Sequence, residues 1–397
     1  MSGSLARVMI VGGVDVRARL PLMERLRSEF ELVAVGAGPA PAFAEAGFRY
    51  RSYAAEQHAR VSPLDDARAC LALARIFRTE EPRIVHAFDT KAGVWGCLAA
   101  RLAGVPIALG TVNGLGFLFR SDTRRQRLLS RTYQALQRLA CAASSATVFQ
   151  NPDDARVFVE VGLVRREKVV LVPGSGVATD RLDPRRFAPE ARLRLRAELG
   201  LGAADVMVIM VTRVIRSKGV LDLQAAARAV RARRPHVRFV LVGAHEPESM
   251  DRLTDAELAS LGSELIWTGR RSDVPELLAA ADVMAFPSGY GEGIPRVLLE
   301  AASMALPIVT TDAPGCREVV EPGTNGLFVP IGDAAALAAA LERLADDPAL
   351  RRRFGENGRA RAVERFDLGV VSERTRSLYR ELLARGEAER FASRSLA

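Results

Sequence analysis

Cysteine is scarce in this sequence of 397 residues, and the few cysteines present form no pairing or metal-binding pattern. The four are Cys70, Cys97, Cys141 and Cys316, with no Cys-x-x-Cys pair and no histidine at ligand spacing. This spacing argues against a disulfide framework or a zinc site. It favours buried, reduced thiols in a cytoplasmic protein.

A secretory leader and an uninterrupted apolar span are also missing. The opening run LARVMIVGGVDVRARL is typical of a first strand and loop and has no small-residue cleavage site, so we expect no signal peptide. Residues 92–119 carry only one charge, Arg101, and are long enough to cross a bilayer. Their six glycines and Pro106 divide them into helix, strand and loop, which favours a buried α/β unit over the transmembrane alternative.

Positive charge is in excess, and it is concentrated in the first half. The net charge is +9, and residues 1–170 contain 24 Lys and Arg against 16 Asp and Glu. A basic surface of this kind suits an anionic partner, which could be a nucleic acid, an anionic lipid or a phosphorylated substrate. The length predicts two domains.

Short apolar runs alternate with longer amphipathic stretches, which predicts an α/β protein with parallel sheets covered on both faces. The first series of candidate strands comprises Val8–Val11, Leu32–Val35, Ile84–Ala87, Ile107–Thr111, Ala146–Phe149 and Val169–Val172. The second series comprises Val206–Thr212, Arg238–Val242, Leu265–Thr268, Val283–Phe286, Ile308–Thr311 and Gly326–Val329.

A Gly-, Pro- and charge-rich stretch at residues 173–190 separates the two series. We therefore expect one domain over residues 1–175 and a second over 176–368. The remaining residues, 369–397, are expected to form a C-terminal helix that packs back on the first domain and frays over its last dozen residues. Ligands of open α/β sheets bind at the carboxyl ends of the strands, so a site is expected there.

The most informative segment is a glycine-rich loop that leads into a helix at residues 285–304. The loop contains Glu292, Gly293 and Ile294, Pro295 suits the first helical turn, and Glu300 follows inside the helix. A helix N-terminus attracts anions, and carboxylates accept hydrogen bonds from sugar hydroxyls. The alternative for Glu300 is a helix residue that simply faces solvent.

Two cations follow the first strand of the second series. Arg213 comes directly after the candidate strand, and Lys218 precedes Gly219, which opens a helix. Cations at a strand end can neutralise a diphosphate leaving group. The alternative is a pair of solvated charges in a basic loop.

In combination, these motifs resemble family 4 of the glycosyltransferases, which are retaining enzymes of the GT-B fold. This resemblance implies two Rossmann-like domains with parallel sheets that face a central cleft, and a UDP-sugar as substrate with no cofactor. The resemblance also implies that Glu292 contacts the donor sugar and that Glu300 contacts the ribose. The backbone of Gly293, Ile294 and Pro295 would approach the sugar and the diphosphate. Arg213 and Lys218 would bind the diphosphate. Gly243 and Arg271 also follow the family's donor-site pattern.

The first half resembles the subgroup that extends undecaprenyl-diphosphate-linked sugars in bacterial surface polysaccharide synthesis. His86 lies at a strand end, and Asn113 occupies a position where many members carry histidine. A lone histidine is more often structural, but the strand-end position makes a role of His86 in the cleft equally plausible. Asn113 can still donate or accept a hydrogen bond in the acceptor site. Gly12 and Gly13 follow the first strand, in a loop that faces the acceptor and closes on the donor in such enzymes.

The spacing of basic and apolar residues over positions 120–143 predicts a basic amphipathic helix. Its arginines are expected to share one side, and its leucines, Leu128, Leu129, Leu136 and Leu139, another. The helix either rests on an anionic membrane or exposes a solvated face. The arginines are Arg120, Arg124, Arg127, Arg131 and Arg138.

We therefore expect a retaining, cytoplasmic glycosyltransferase, peripherally bound to the inner face of the cell membrane, that acts on a lipid-diphosphate-linked saccharide. No Asp-x-Asp motif occurs, so no essential metal is expected. The alternatives are a sugar-nucleotide epimerase of the GT-B fold, or a non-catalytic basic protein that binds membranes or nucleic acid. The donor motifs favour the transferase, and no nucleic acid partner is expected.

Overall fold

The computed structural model describes residues 5–54, 62–116, 124–249, 251–262 and 264–395. The chain forms two compact units. The first comprises Met1–Ser175 together with Leu368–Ala397, and the second comprises Gly176–Asp367.

The first unit is built on a parallel sheet with the strand order β3-β2-β1-β4-β5-β6-β7. Helices cover both of its faces, and residues of the central strand alternate between them. Val8 and Ile10 pack with α1 and the C-terminal helix, whereas Met9 and Val11 pack with α3 and α4. The strands are β1 (Ala6–Val11), β2 (Phe30–Ala37), β3 (Arg49–Ala54), β4 (Ile84–Ala87), β5 (Ile107–Val112), β6 (Ala146–Phe149) and β7 (Val169–Leu171). The helices of the first 175 residues are α1 (Leu20–Leu26), α2 (Pro41–Glu45), α3 (Pro63–Glu80), α4 (Thr90–Ala103), α5 (Arg124–Ala143) and α6 (Pro152–Glu160).

The second unit repeats this plan on a parallel sheet with the order β10-β9-β8-β11-β12-β13. Met207 and Ile209 face one apolar core, and Val208 and Met210 face the other, so β8 is buried on both faces. The strands are β8 (Val206–Val211), β9 (Val237–Val242), β10 (Ile266–Trp267), β11 (Val283–Phe286), β12 (Ile308–Thr311) and β13 (Gly326–Val329). The helices are α7 (Pro189–Glu198), α8 (Val220–Arg233), α9 (Asp255–Leu261), α10 (Val274–Ala280), α11 (Arg296–Ser303), α12 (Cys316–Val319), α13 (Ala334–Asp346) and α14 (Pro348–Arg361).

The last helix, α15 (Leu368–Ser395), belongs to the first unit. Its buried Val371, Leu378 and Tyr379 join the apolar core on one face of the first sheet. The described backbone is helical as far as Ser395. The packing against this core extends to Leu382 and Leu383, and the fraying of the last dozen residues stays a prediction.

The strand β3 is absent from the sequence-based prediction. Its sequence, RYRSYA, contains no apolar run, which agrees with the position of β3 at the edge of the sheet. Charged partners on neighbouring elements hold its side chains: Arg49 lies 2.7 Å from Glu31, and Arg51 lies 2.7 Å from Glu80. An edge strand stabilised by ion pairs gives little hydrophobic signal.

The apolar stretch 92–119 forms α4 and the buried strand β5, as far as the structure describes it. Among the described residues, none of the helices combines the length and the hydropathy that a bilayer crossing requires.

Candidate functional site

The site of the second unit lies at the carboxyl ends of two neighbouring strands, β8 and β11. The loop after β8 carries Arg213 and Lys218, and the loop after β11 carries Glu292. The loops are joined directly, because the Gly289 N–H donates to the Ser217 carbonyl over 2.8 Å. Parallel pairing thus brings together residues that are more than seventy positions apart in the sequence.

Lys218 and Glu292 form an ion pair at the centre of this site. Lys218 is only 6% exposed. Burial, together with the neighbouring Arg213 guanidinium, lowers the pKa of Lys218 to about 7. A buried ammonium requires an anionic partner, and the Glu292 carboxylate supplies it here.

The aromatic ring of Tyr290 lies close to both cations. Lys218 Nζ lies 4.4 Å from the ring centroid of Tyr290, and Arg213 Cζ lies 5.8 Å from it. Arg213 also pairs with Glu246 at 3.0 Å. Neither Tyr290 nor Glu246 belongs to the site residues predicted from the sequence. The position of Tyr290 between two glycines, two residues before Glu292, was the available signal for the ring.

Three glycines allow the loops of this site to approach one another. A Cβ at Gly219 would lie 2.1 Å from the Pro287 carbonyl oxygen, and one at Gly243 would lie 1.6 Å from that of Thr212. At Gly315 it would lie 2.0 Å from the Gly293 carbonyl oxygen. All three have positive φ, which side chains disfavour. Gly243 therefore shapes the site through its backbone.

The helix α11 begins directly after the Glu292 loop, with Pro295 as its N-cap residue. Its positive dipole end therefore lies beside Gly293 and Ile294. Glu300 is half-buried, one turn after Arg296, whose Nε lies 2.9 Å from its carboxylate. Burial raises the pKa of the Glu300 carboxyl. The carboxylate is thus neither a solvated surface group nor fully enclosed.

Arg271 does not join this cluster. Its guanidinium pairs with Asp273 at 2.6 Å and with Glu198 at 3.1 Å. These two carboxylates explain its orientation without a ligand. A donor-site role for Arg271 would require these ion pairs to be exchanged.

A second polar cluster lies at the carboxyl edge of the first sheet. Asp89, which follows β4, accepts a hydrogen bond from the Gly13 N–H and another from the Asn113 amide, each over 3.0 Å. Gln150, which follows β6, donates to Asn113 Oδ1 over 2.9 Å. Both the nitrogen and the oxygen of the Asn113 amide are therefore hydrogen-bonded. Asp89 is missing from the sequence-derived site residues, although it follows His86 closely.

Asp89 has an unusual backbone conformation, with φ of +68° and ψ of 164°. Residues other than glycine rarely adopt this region, and such strain concentrates at functional sites. The Asp89 carboxylate compensates by binding the loop that contains Gly13, and the Arg19 guanidinium lies 3.7 Å away. Gly12, which precedes this loop, has no room for a side chain, because its Cβ would lie 2.9 Å from that of Val16.

His86 is enclosed within the first unit. Nδ1 lies 2.7 Å from the Tyr379 hydroxyl, and Nε2 lies 2.6 Å from Thr111 Oγ1. Burial, and to a lesser extent Arg19, lowers the pKa of His86 to about 3, so the ring is neutral at physiological pH. With both nitrogens bound to protein hydroxyls, this arrangement favours a structural role, in which His86 connects β4 and β5 to α15.

The basic helix α5 exposes Arg127, Arg131 and Arg138. Arg120 lies outside the described residues, and so does the side chain of Arg124. The expectation of a leucine side apart from the arginines is wrong in part. Leu129 and Leu136 are half-buried, but Leu128 and Leu139 are 67% and 56% exposed.

Comparisons with known proteins agree with this architecture. Residues 192–361 match the family described as "Glycosyl transferases group 1", and residues 12–174 match "Glycosyl transferase 4-like domain". Together these two matches span most of both units.

Two relatives cover most of the chain. The Escherichia coli enzyme named UDP-Gal:alpha-D-GlcNAc-diphosphoundecaprenol alpha-1,3-galactosyltransferase is 27% identical over 327 residues, which is 81% of this chain and 81% of that protein. Alpha-maltose-1-phosphate synthase of Mycobacterium tuberculosis strain H37Rv is 31% identical over 317 residues, which is 76% of this chain and 79% of that protein.

Among solved structures, Anabaena HepE in complex with UDP and glucose superposes with a TM-score of 0.78 and 20% sequence identity, covering 95% of this chain and 100% of that one. This likeness concerns the fold. It confirms the prediction of two Rossmann-like α/β domains of the GT-B type.

Proposed function

We propose a function for this chain, which belongs to the group 1 glycosyl transferases. In this proposal it moves a sugar from a UDP-sugar to a lipid-diphosphate-linked saccharide and retains the anomeric configuration. The observation that carries the donor assignment is the ion pair between the buried Lys218 and the half-buried Glu292, with Arg213 nearby, where the loop that contains Glu292 leads into α11. Cations and a helix dipole at one point suit a diphosphate.

In this proposal, the diphosphate takes over the role that Glu292 has towards Lys218. Lys218 and Arg213 stabilise the negative charge that develops on the departing UDP. The Glu292 carboxylate, released from the ammonium, accepts hydrogen bonds from hydroxyls of the donor sugar. Glu300 accepts from the ribose hydroxyls, and its partial burial keeps it close to the nucleotide.

The acceptor is proposed to be a saccharide on a lipid diphosphate. The name of the Escherichia coli relative gives alpha-D-GlcNAc-diphosphoundecaprenol as its acceptor, and that of a Campylobacter jejuni relative gives N,N'-diacetylbacillosaminyl-diphospho-undecaprenol. Asp89 and Asn113 support this assignment, because a strained, hydrogen-bonded acid at a sheet edge is suited to positioning an acceptor hydroxyl.

Association with the inner face of the cell membrane is part of the proposal. Arg127, Arg131 and Arg138 are exposed on α5, beside the exposed Leu128 and Leu139, and Arg138 also donates to the Val161 carbonyl over 3.3 Å. Cationic and apolar side chains on one exposed surface suit the headgroup region of an anionic bilayer. A lipid-linked acceptor would be reached from there.

A thermal-shift panel of UDP-, GDP- and ADP-sugars tests the donor assignment. We expect UDP-sugars to raise the melting temperature, since a ligand at a hundred times its Kd adds about 2.7 kcal/mol to the free energy of unfolding. Lys218→Ala and Glu300→Ala should abolish most of this shift. Arg216→Ala is the matched control, because Arg216 lies in the same loop but pairs with Glu257.

Transfer assays then separate the transferase from an epimerase. A transferase forms product only when an acceptor is added, whereas an epimerase changes the sugar without one. Near-normal donor affinity and turnover in both the Lys218→Ala and the Glu300→Ala proteins would contradict the assigned donor site.

A further inference from the structure

The cation loop, residues 213–218 after β8, is held from one side by the chain that follows β9. The Val214 N–H donates to the Ala244 carbonyl, and the Arg216 N–H donates to the Asp251 carbonyl, each over 2.9 Å. These bonds continue the contact between β8 and β9 beyond the ends of both strands. The position of the cation loop therefore depends on residues that belong to no motif predicted from the sequence.

Asp251 contributes its carboxylate as well as its backbone. Its Oδ2 accepts the Ser217 N–H over 2.9 Å, one residue before Lys218. The Asp251 N–H in turn donates to Ser249 Oγ over 3.2 Å, and Leu253, two residues later, is buried in the core of the second unit. Hydrogen bonds to an ionised acceptor are about twice as strong as neutral ones. An anchored carboxylate thus fixes the backbone next to Lys218.

Ser217 connects Asp251 to the second loop of the site. Its N–H donates to the Asp251 carboxylate, and its carbonyl accepts the Gly289 N–H over 2.8 Å. Gly289 belongs to the loop that carries Glu292. The Asp251 carboxylate, the Ser217 backbone and the Gly289 N–H therefore form a continuous chain of hydrogen bonds that joins the segment after β9 to both loops.

The charge of Asp251 also acts on Lys218. Burial and the Arg213 guanidinium lower the pKa of Lys218 to about 7, so its ammonium is partly deprotonated at neutral pH. Negative charge on Asp251 opposes this lowering of the pKa. The other titratable groups that the structure places around Lys218 are Arg213, Glu246, Glu292, Tyr290 and Cys316.

The exchange of partners in the proposed function requires such a carboxylate. When the diphosphate replaces Glu292, Lys218 must keep its proton and its position while its anionic partner moves away. Asp251 has no part in that exchange, because the Ser217 N–H and its own backbone hold it. A charge that is already in place needs no rearrangement during the reaction.

We propose that Asp251 is a positioning residue of the proposed donor site, which holds the cation loop through the Ser217 N–H and so places Lys218 against the diphosphate. Its carboxylate also favours the ammonium form of Lys218. This inference rests on the proposed function and deepens it, because it names a residue that controls the diphosphate-binding cation. Asp251 acts through Ser217 and Lys218 and takes no part in bond-making.

NMR spectroscopy of the lysine side chains tests the charge effect without any ligand. The chain contains three lysines, Lys91, Lys168 and Lys218, so labelling lysine with ¹³C at Cε gives three signals. The Lys218→Arg protein identifies the signal of Lys218. In Asp251→Asn, which keeps an oxygen acceptor for the Ser217 N–H, this signal should titrate at a lower pH than in the unaltered protein.

Transfer kinetics test the positioning. Asp251→Ala removes the acceptor of the Ser217 N–H, so the cation loop shifts, and kcat/KM should fall about tenfold to a hundredfold. Asp251→Asn should recover most of this loss at slightly acidic pH, where Lys218 is charged. The basic limb of its kcat/KM profile should nevertheless lie at lower pH than in the unaltered protein. A residue that only stabilised the fold would change the melting temperature and leave this limb in place.

Glu257→Gln is the matched control. Glu257 lies in α9 and pairs with Arg216 of the cation loop at 2.7 Å, whereas the Ser217 N–H is bound by Asp251. The control should keep the titration of Lys218, the value of kcat/KM and its pH profile. If Asp251→Asn and Asp251→Ala behave like Glu257→Gln, the positioning role is overturned.

Failure of this inference and failure of the proposed function give different results. If UDP-sugars neither bind nor react, but the Lys218 signal of Asp251→Asn titrates at lower pH, the proposed function fails and the link from Asp251 to Lys218 stands. If transfer occurs and depends on Lys218 but not on Asp251, the positioning role fails and the proposed function stands.

Discussion

At the scale of single residues, the charged and polar side chains that the sequence predicts as site residues have different surroundings in the structure. Lys218 and Glu292 pair directly, whereas Arg271 is held by two other carboxylates. His86 is enclosed by two hydroxyl groups. Residue type predicted which groups carry charge in the proposed donor site. The partner of each group depends on side chains from distant parts of the chain.

Stability below neutral pH should depend on His86. Its pKa is lowered from its ordinary value to about 3, so between these two values the unfolded state binds more protons than the folded state. Stability therefore decreases as the pH falls through this window. From pH 6.5 to pH 5 the loss from this residue should be about 2 kcal/mol.

Urea unfolding at pH 7 and pH 5 measures this effect. A Trp267→Phe background leaves Trp95, in α4, to report on the first unit. In His86→Gln, the loss of stability between these pH values should be smaller by about that amount, because glutamine does not titrate. The exposed His236, replaced by Gln, is the control. Equal pH dependence in the two altered proteins would show that burial of His86 does not control acid stability.

At the scale of elements, the loops of the proposed donor site depend on the strand and helix ends that carry them. The loop with Glu292 contacts the turn before α12, where Gly315 has φ of +71°. The contact is backbone against backbone, so no side chain can be accommodated there. The edge strand β3 differs from these loops, because ion pairs stabilise it and its hydropathy pattern does not predict a strand.

Gly315→Ala should therefore impair the proposed donor site. Its Cβ would lie 2.0 Å from the Gly293 carbonyl oxygen, so the Glu292 loop must shift. We expect donor affinity to fall about tenfold or more, since small misplacements of positioned groups are costly. The quantity to measure is the Kd for a UDP-sugar.

Gly323→Ala is the matched control for this change. Gly323 has φ of +80°, but nothing lies within 4 Å of the position that a Cβ would take there. It should lose about 1–2 kcal/mol of stability from backbone strain alone, with donor affinity retained. If both alanine proteins bind the donor equally well, the loop contact at Gly315 is not needed for the site.

At the scale of the whole molecule, two parallel sheets covered by helices provide one polar edge each. The first unit also carries most of the excess positive charge. Its helix α5 presents arginines together with two exposed leucines. Charge of this kind acts at long range and is screened by salt.

The protein should consequently sediment with vesicles that contain anionic lipid and be released by salt. Changing Arg127, Arg131 and Arg138 together to Glu should reduce binding strongly, since each basic residue near such a surface contributes about 1 kcal/mol. The matched control changes the exposed Arg194, Arg352 and Arg353 of the second unit to Glu. If this control lowers binding to the same extent, overall charge is responsible and α5 is not the membrane-binding surface.

The α/β class, the two series of buried strands and the family can all be predicted from the sequence, because each of these follows from local periodicity or from motifs of contiguous residues. The segment with Glu292 and Glu300 and the loop with Arg213 and Lys218 were predicted in this way. Other features follow only from the folded chain: Lys218 pairs with Glu292, Tyr290 lies against both cations, and two hydroxyl groups enclose His86. These depend on which strands become neighbours and which helix faces pack, and such long-range contacts leave no mark in the spacing of residues along the chain.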